Sequence, residues 1–276
     1  LADRPDGVGP ADRGAAPALW CATPNGAVNA MLGTLMRAGD VLDLFTVEEP
    51  EWGVTATAQR LGIGKSLAHE ALATMTEIGL LQRVGHGRYR LGWRTMSLAS
   101  VLMRTTGLAA CARPVIRDLG EGRGLTVSLL TWDRGRLLYL GHHCGPLTSG
   151  RSGPLAGTTV PADSGAAARV LLASRPQAEV TALWTGGALQ EWHAGLAELL
   201  ADLADVRCTG WAYDPPRSPR ASVAAPIRDP EGDVVAALRV QPGCEEDELG
   251  LRRHATLAVA AANRISHALR TREHAA

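Results

Sequence analysis

The sequence predicts an α+β protein in two parts: an N-terminal winged helix-turn-helix domain and, past a linker helix, a C-terminal α/β domain. Three observations predict it. Residues 54–92 read as two short helices followed by a basic hairpin. Residues 93–106 carry one unbroken helical pattern. From Cys111 onward, helical and strand patterns mix with hairpin turns, the order expected of helices packed on a mostly antiparallel sheet. At 276 residues and 46% hydrophobic content, the chain has material for two ordinary cores.

Residues 1–28 are rich in Gly, Pro, Ala and Asp, show no periodicity, and are expected to form a disordered arm. The first domain is expected over 29–92. Its first helix shows in Met31, Leu35, Ala38, Leu42 and Phe45 at helical spacing. A second helix from Thr55 to Leu61 stops at Gly62, a usual terminator. The third begins after Gly64 and places Leu67, Ala71, Leu72, Met75 and Ile78 on one face. Lys65, Ser66, His69 and Glu70 occupy its other face near the N-terminus, where a helix-turn-helix protein sets the side chains that meet base edges. Residues 82–91 alternate about Gly85, His86 and Gly87, which predicts a hairpin wing carrying Arg83, Arg88 and Arg90.

The linker helix is expected over 93–110, with Met96, Leu98, Ala99, Leu102 and Met103 as its apolar positions. The C-terminal domain is expected over 111–272. It starts with a helix to Leu119 and strands at 126–132 and 136–141 around Asp133, Arg134 and Gly135. A helix at 164–174 and further helices to about Asp205 follow, then strands at 222–227 and 234–240. A last helix spans about 247–270.

Charge distribution says more than total charge. The chain is neutral, with 28 Lys and Arg against 28 Asp and Glu. Residues 1–53 hold three basic and eight acidic residues, a net of −5, while residues 54–104 hold seven basic and two acidic, a net of +5. The remainder balances at 18 of each. Positive charge therefore sits on the wing and third helix, the electrostatic footprint of a duplex-binding face. No apolar run approaches a membrane span, and the N-terminus lacks the apolar core of a secretory signal. The five cysteines form an odd set without a Cys-x-x-Cys pair, as scattered reduced thiols of a cytoplasmic protein would.

In order along the chain, several stretches resemble the IclR type of transcriptional regulator. They are 37–45, the helix-turn-helix at 58–81, and Gly-Arg-Tyr-Arg-Leu-Gly at 87–92, followed by Ala-Arg-Pro at 112–114 and 169–173 after Pro161. Gly-Trp-Ala-Tyr-Asp at 210–214, Ala-Ala-Pro at 224–226 and 232–238 complete the set, so the resemblance covers roughly residues 30–269. It implies a C-terminal domain resembling GAF domains that binds a small organic effector. It also implies a homodimer, or a dimer of dimers, on a palindromic double-stranded operator, as repressor or activator. No cofactor is implied.

This chain departs from the family at informative places. Leu67 and Glu70 stand where the family's third helix usually has Thr and Arg. A carboxylate at 70 repels phosphate and can only accept from cytosine, which retunes or weakens recognition. In the effector domain the resemblance points to Asp214, Ser222, Arg239 and Gln241. Ser222 replaces a usual Cys, and Arg239 and Gln241 replace small hydroxyl residues. Two positions apart on a strand, Arg239 and Gln241 share a face. Two outcomes stay open: Arg239 selects a carboxylate effector, or it pairs with Asp214 and fills the site, leaving an effector-blind regulator.

Other chemistry carries less. His142, His143 and Cys144 suggest a metal cluster, but neighbouring strand residues face opposite sides, so at most two of them converge. No phosphate loop or nucleophile elbow stands in the right context, and no catalytic constellation emerges, so no enzyme is expected. The expected function is a DNA-binding regulator modulated by a small, acidic metabolite. The alternative is a ligand-binding or interaction protein with impaired operator recognition.

Overall fold

In the computed structural model, residues 30–145, 153–163, 165–189, 193–214, 221–243 and 248–273 are described. The arm expected over 1–28 lies outside them, as do Ser164, residues 215–219, and Cys21 and Cys244. Among the described residues, no helix is long and apolar enough to cross a membrane.

The N-terminal unit contains α1 (Ala30–Leu42), β1 (Trp52–Gly53), α2 (Val54–Leu61), α3 (Lys65–Glu77), β2 (Leu81–Val84) and β3 (Arg88–Leu91). Gly62 closes α2 in the left-handed region at φ 65°, the conformation that makes glycine a helix stop. The helix α3 buries Ala68, Leu72 and Met75, which meet Val41, Leu81 and Tyr89 in a small core. This shifts the predicted apolar face. Ala68 sits at its centre, Leu67 and Ala71 flank it half-buried, and Ile78 is 44% exposed because it lies beyond the last helical turn. The wing has a third strand that alternation cannot reveal. Two-residue β1 pairs with β3, placing Trp52 opposite Tyr89 and Gly53 opposite Arg88. Trp52 Nε1 donates to the Leu44 carbonyl at 2.9 Å and ties β1 to the end of α1.

The helix α4 (Trp93–Thr105) leaves the wing and buries none of its residues. Trp93, Met96, Leu98, Val101 and Leu102 are all more than half exposed.

The C-terminal unit is a six-stranded antiparallel sheet in the order β6-β5-β4-β9-β8-β7. Its strands are β4 (Thr126–Asp133), β5 (Arg136–His143), β6 (Thr159–Pro161), β7 (Ala212–Tyr213), β8 (Val223–Arg228) and β9 (Val234–Gln241). The short edge strands β6 and β7 escape sequence reading because two or three residues carry no periodicity. Strand alternation divides the sheet's side chains between two cores. Val127, Leu129, Val223, Ala225, Leu238 and Val240 face α5 (Leu108–Arg123) and α9 (Glu248–Glu273). Leu130, Leu137, Tyr139, Ala224 and Ala237 face α6 (Ala166–Ala173), α7 (Gln177–Thr185) and α8 (Leu196–Thr209). A bulge at Leu129/Leu130 shifts the β4–β5 register midway along the pair.

Candidate functional site

The first candidate site is the exposed surface of α3 and the wing. Lys65, Ser66, His69 and Glu70 are all exposed, and the α3 N-cap, Gly64, supplies no side-chain cap. Backbone N–H groups of the first turn therefore stay open toward whatever the helix meets. The wing adds Arg83, Arg88 and Arg90, also exposed. These arginines are not equivalent. Arg83 has no ion-pair partner among the described residues, whereas Arg88 lies 3.4 Å from the Glu51 carboxylate and donates to the Glu51 carbonyl at 2.7 Å. Arg90 stands across the hairpin from Gln82, whose amide oxygen, turned inward, accepts from its guanidinium. Arg94 Nη1 donates to the Ile78 carbonyl at 2.5 Å and so caps the end of α3. The sequence pattern groups these side chains but gives no sign that Glu51 answers Arg88, since the pair forms only once β1 joins the wing.

The second candidate site lies on the α6 face of the large sheet. Asp214, at the end of β7, is buried, and both its oxygens are engaged. Oδ1 accepts from the Ala166 amide at 2.5 Å, while Oδ2 accepts from the Ser222 amide at 2.8 Å and Ser222 Oγ at 2.7 Å. The carboxylate thus caps the positive end of α6 and closes the β7–β8 connection. Of the two outcomes left open, a pairing of Asp214 with Arg239 is not the one seen, since both carboxylate oxygens are taken by Ala166 and Ser222. Helix α6 offers it unsatisfied N–H groups at once, and the sequence pattern does not show that α6 begins there. Arg169 holds the same corner. It makes a two-pronged pair with Asp202 of α8, donates to the Tyr213 carbonyl at 2.5 Å, and lies over the Tyr213 ring.

Arg239 and Gln241 come together as strand alternation requires, with Nη2 donating to Gln241 Oε1 at 3.3 Å. Nη1 reaches the Tyr139 hydroxyl at 3.4 Å, and Nε is shielded from solvent with no partner among the described residues. No carboxylate among the described residues forms an ion pair with this half-buried guanidinium. Burying a charge in that state costs free energy unless an anion arrives to meet it.

Ser128 of β4 stands opposite Arg239 and also opposite His142 of β5. Its hydroxyl is 2.9 Å from His142 Nδ1, and His142 Nε2 is 3.1 Å from Cys144 Sγ. Burial, with added repulsion from Arg239 and His143, holds the His142 imidazole below its ordinary value of 6.5. His143 turns to the other face, its ring filling the space beside Gly120 of α5. Sequence reading separates the two histidines in this way but misses Ser128, which only the hairpin register brings across. Among the described residues, no three His, Cys, Asp or Glu side chains converge on a metal position.

Comparison with known proteins agrees with both halves. Residues 34–85 match the IclR helix-turn-helix domain and residues 100–267 match the C-terminal domain of bacterial transcriptional regulators of the IclR type. The chain is 28% identical over 245 residues to the acetate operon repressor of Salmonella typhimurium, covering 85% of this chain and 87% of that protein. It is 29% identical over 225 residues to the glycerol operon regulatory protein of Streptomyces coelicolor, covering 78% and 88%. Among solved structures, the IclR transcriptional regulator of Silicibacter sp. TM1040 superimposes with a TM-score of 0.77 at 23% identity, over 86% of this chain and 96% of that one. An IclR homologue from Microbacterium hydrocarbonoxydans, complexed with 4-hydroxybenzoate, gives 0.66 at 24% identity, over 86% and 99%.

Proposed function

We propose that this chain, which belongs to the IclR family of bacterial transcriptional regulators, binds a palindromic operator through Lys65, Ser66, His69, Glu70, Arg83, Arg88 and Arg90. In this reading a small acidic metabolite, held by Arg239 on the α6 face, sets its operator affinity. The observation that carries the effector class is Arg239 itself, a half-buried guanidinium whose Nε has no partner among the described residues. A guanidinium grips a carboxylate through two parallel hydrogen bonds. Gln241 sits beside it as a further polar group, and Asp214 with Ser222 fixes the neighbouring edge of the site. The homologue crystallised with 4-hydroxybenzoate, a carboxylate, supports the same ligand class.

The uncovered apolar side chains of α4 support assembly as a dimer or a dimer of dimers, since pairing would remove them from water. The domain limits that fit are 29–92, 93–110 and 111–272, and a regulator of genes belongs in the cytoplasm. One observation favours the second reading, a ligand-binding protein with weakened operator recognition. Glu70 projects from α3 while Glu51 offsets Arg88, so two carboxylates face the phosphates.

The test is retardation of a duplex from the gene's own upstream region, titrated with a panel of small mono- and dicarboxylates including 4-hydroxybenzoate. At least one acid should shift the operator affinity several-fold in the wild type and leave Arg239→Ala unmoved. Equal response of the two proteins would remove Arg239 from effector binding. Equal affinity for the upstream duplex and a scrambled one at moderate salt would support the second reading.

A further inference from the structure

We propose that Cys144 is a hydroperoxide-reactive thiol activated by His142, so that the α6 face carries a modification site of its own. Cys144 follows the end of β5 and falls on the same side as His142, two residues back. The imidazole is held between two groups, Ser128 Oγ at 2.9 Å from Nδ1 and Cys144 Sγ at 3.1 Å from Nε2. With Nδ1–H donating to the serine, Nε2 presents its lone pair to the thiol. Burial and the nearby Arg239 keep that lone pair unprotonated. A thiol paired with an imidazole is one of the surroundings in which cysteines become nucleophilic.

No third His, Cys, Asp or Glu joins His142 and Cys144 among the described residues, and Arg239 repels a cation. Gly153 packs directly on the pair, since a Cβ there would overlap the His142 ring and fall 3.1 Å from Cys144 Sγ.

The step balances as follows. The thiol proton passes to His142 Nε2 and the sulfur attacks one peroxide oxygen. The S–O bond forms as the O–O bond breaks, and the departing hydroxide or alkoxide takes the proton from His142. Cys144 is oxidised to the sulfenic acid and the hydroperoxide is reduced to water or an alcohol.

Cys208 is exposed on α8 and Cys111 lies half-buried on α5, and neither thiol has a hydrogen-bond partner among the described residues, so both serve as internal references. The reduced full-length chain is treated with a few equivalents of hydrogen peroxide, trapped with dimedone, and followed by peptide mass spectrometry. Cys144 should be trapped at least tenfold faster than Cys208, despite being less exposed. His142→Gln should bring the Cys144 rate down to that of Cys208 and leave the Cys208 rate unchanged. If that variant does not fold, the wild-type ratio decides, with Ser128→Ala expected to lower it part of the way. Cys208 leading Cys144 in the wild type, or a folded His142→Gln variant with an unaltered Cys144 rate, overturns the proposal. Neither DNA nor an acidic ligand enters the measurement, so it can fail without touching the effector reading.

Discussion

The two halves of the molecule place their charges in opposite ways. On α3 and the wing, cations stand in water and meet at most a loose local partner, as Arg88 meets Glu51 with 54% and 38% of the two side chains exposed. On the α6 face, charges are buried and bound by several directed hydrogen bonds, as Asp214 is by Ala166 and Ser222. An exposed pair is worth roughly 0–1 kcal/mol, so residues there can change identity and retune recognition with little effect on folding. A buried carboxylate accepting several hydrogen bonds cannot be removed so cheaply. Arg239 is the exception that makes the second region a site, because it is half-buried and no carboxylate among the described residues pairs with it.

The largest effect expected from this contrast is at Asp214. Asp214→Ala should destabilise the protein by about 3–5 kcal/mol in urea unfolding, because the capped end of α6 and the Ser222 donors lose their acceptor together. A loss below about 1 kcal/mol, the level of an exposed ion pair, would erase the distinction between the regions.

Next in size are the wing arginines, read in DNA binding rather than stability. Arg83→Ala with Arg90→Ala should weaken binding to specific and random duplex alike. The slope of log affinity against log salt should flatten by about 0.9 for each phosphate that is no longer neutralised. Arg88→Ala alone should do less than Arg83→Ala, because Glu51 already offsets its charge. Glu51→Gln should raise affinity and steepen the slope. If Arg88→Ala instead matches Arg83→Ala, the Glu51 pair breaks on the duplex at no cost.

How much of this is legible in the sequence depends on the separation of the interacting residues along the chain. Helix α3, the hairpin wing and β9 follow from periodicity within a few residues, and Arg239 and Gln241 share a face for that reason alone. The apolar face of α3 reads a fraction of a turn off, because Leu67 is larger than Ala68 and draws the pattern toward itself. The partner of Asp214 is not legible, because it depends on where α6 begins, 48 residues away in the chain. Ser128, His142 and Cys144 converge through the β4–β5 register, which includes a bulge that no alternation pattern reveals. Glu51 is hidden for the same reason, since a two-residue strand brings it to the wing.

A smaller effect is expected at Glu70, exposed on α3. Glu70→Arg should change stability by no more than about 0.5 kcal/mol. It should increase affinity for random duplex, read as a higher retardation midpoint in salt. Unfolding of the domain by this change would mean that the helix face is misplaced.

The smallest effect is a pH dependence. His142 in the folded protein titrates below 6.5, so on acidification the unfolded chain takes up the proton first. Its contribution to stability is complete above pH 6.5 and declines as the pH falls toward the folded-state value. Melting temperature measured from neutral pH downward should therefore fall more steeply in the wild type than in His142→Gln. Identical profiles would remove burial and Arg239 as determinants of that histidine.

The central claim, that Arg239 is kept for a ligand and not for the fold, has one direct measurement: urea unfolding of Arg239→Ala beside the wild type in ligand-free buffer. A guanidinium that meets no anion among the described residues gives up little when it is removed, so the variant should match or exceed wild-type stability to within about 1 kcal/mol. A loss of about 3–5 kcal/mol, the signature of an orphaned buried partner, would contradict the account and make Arg239 a structural residue.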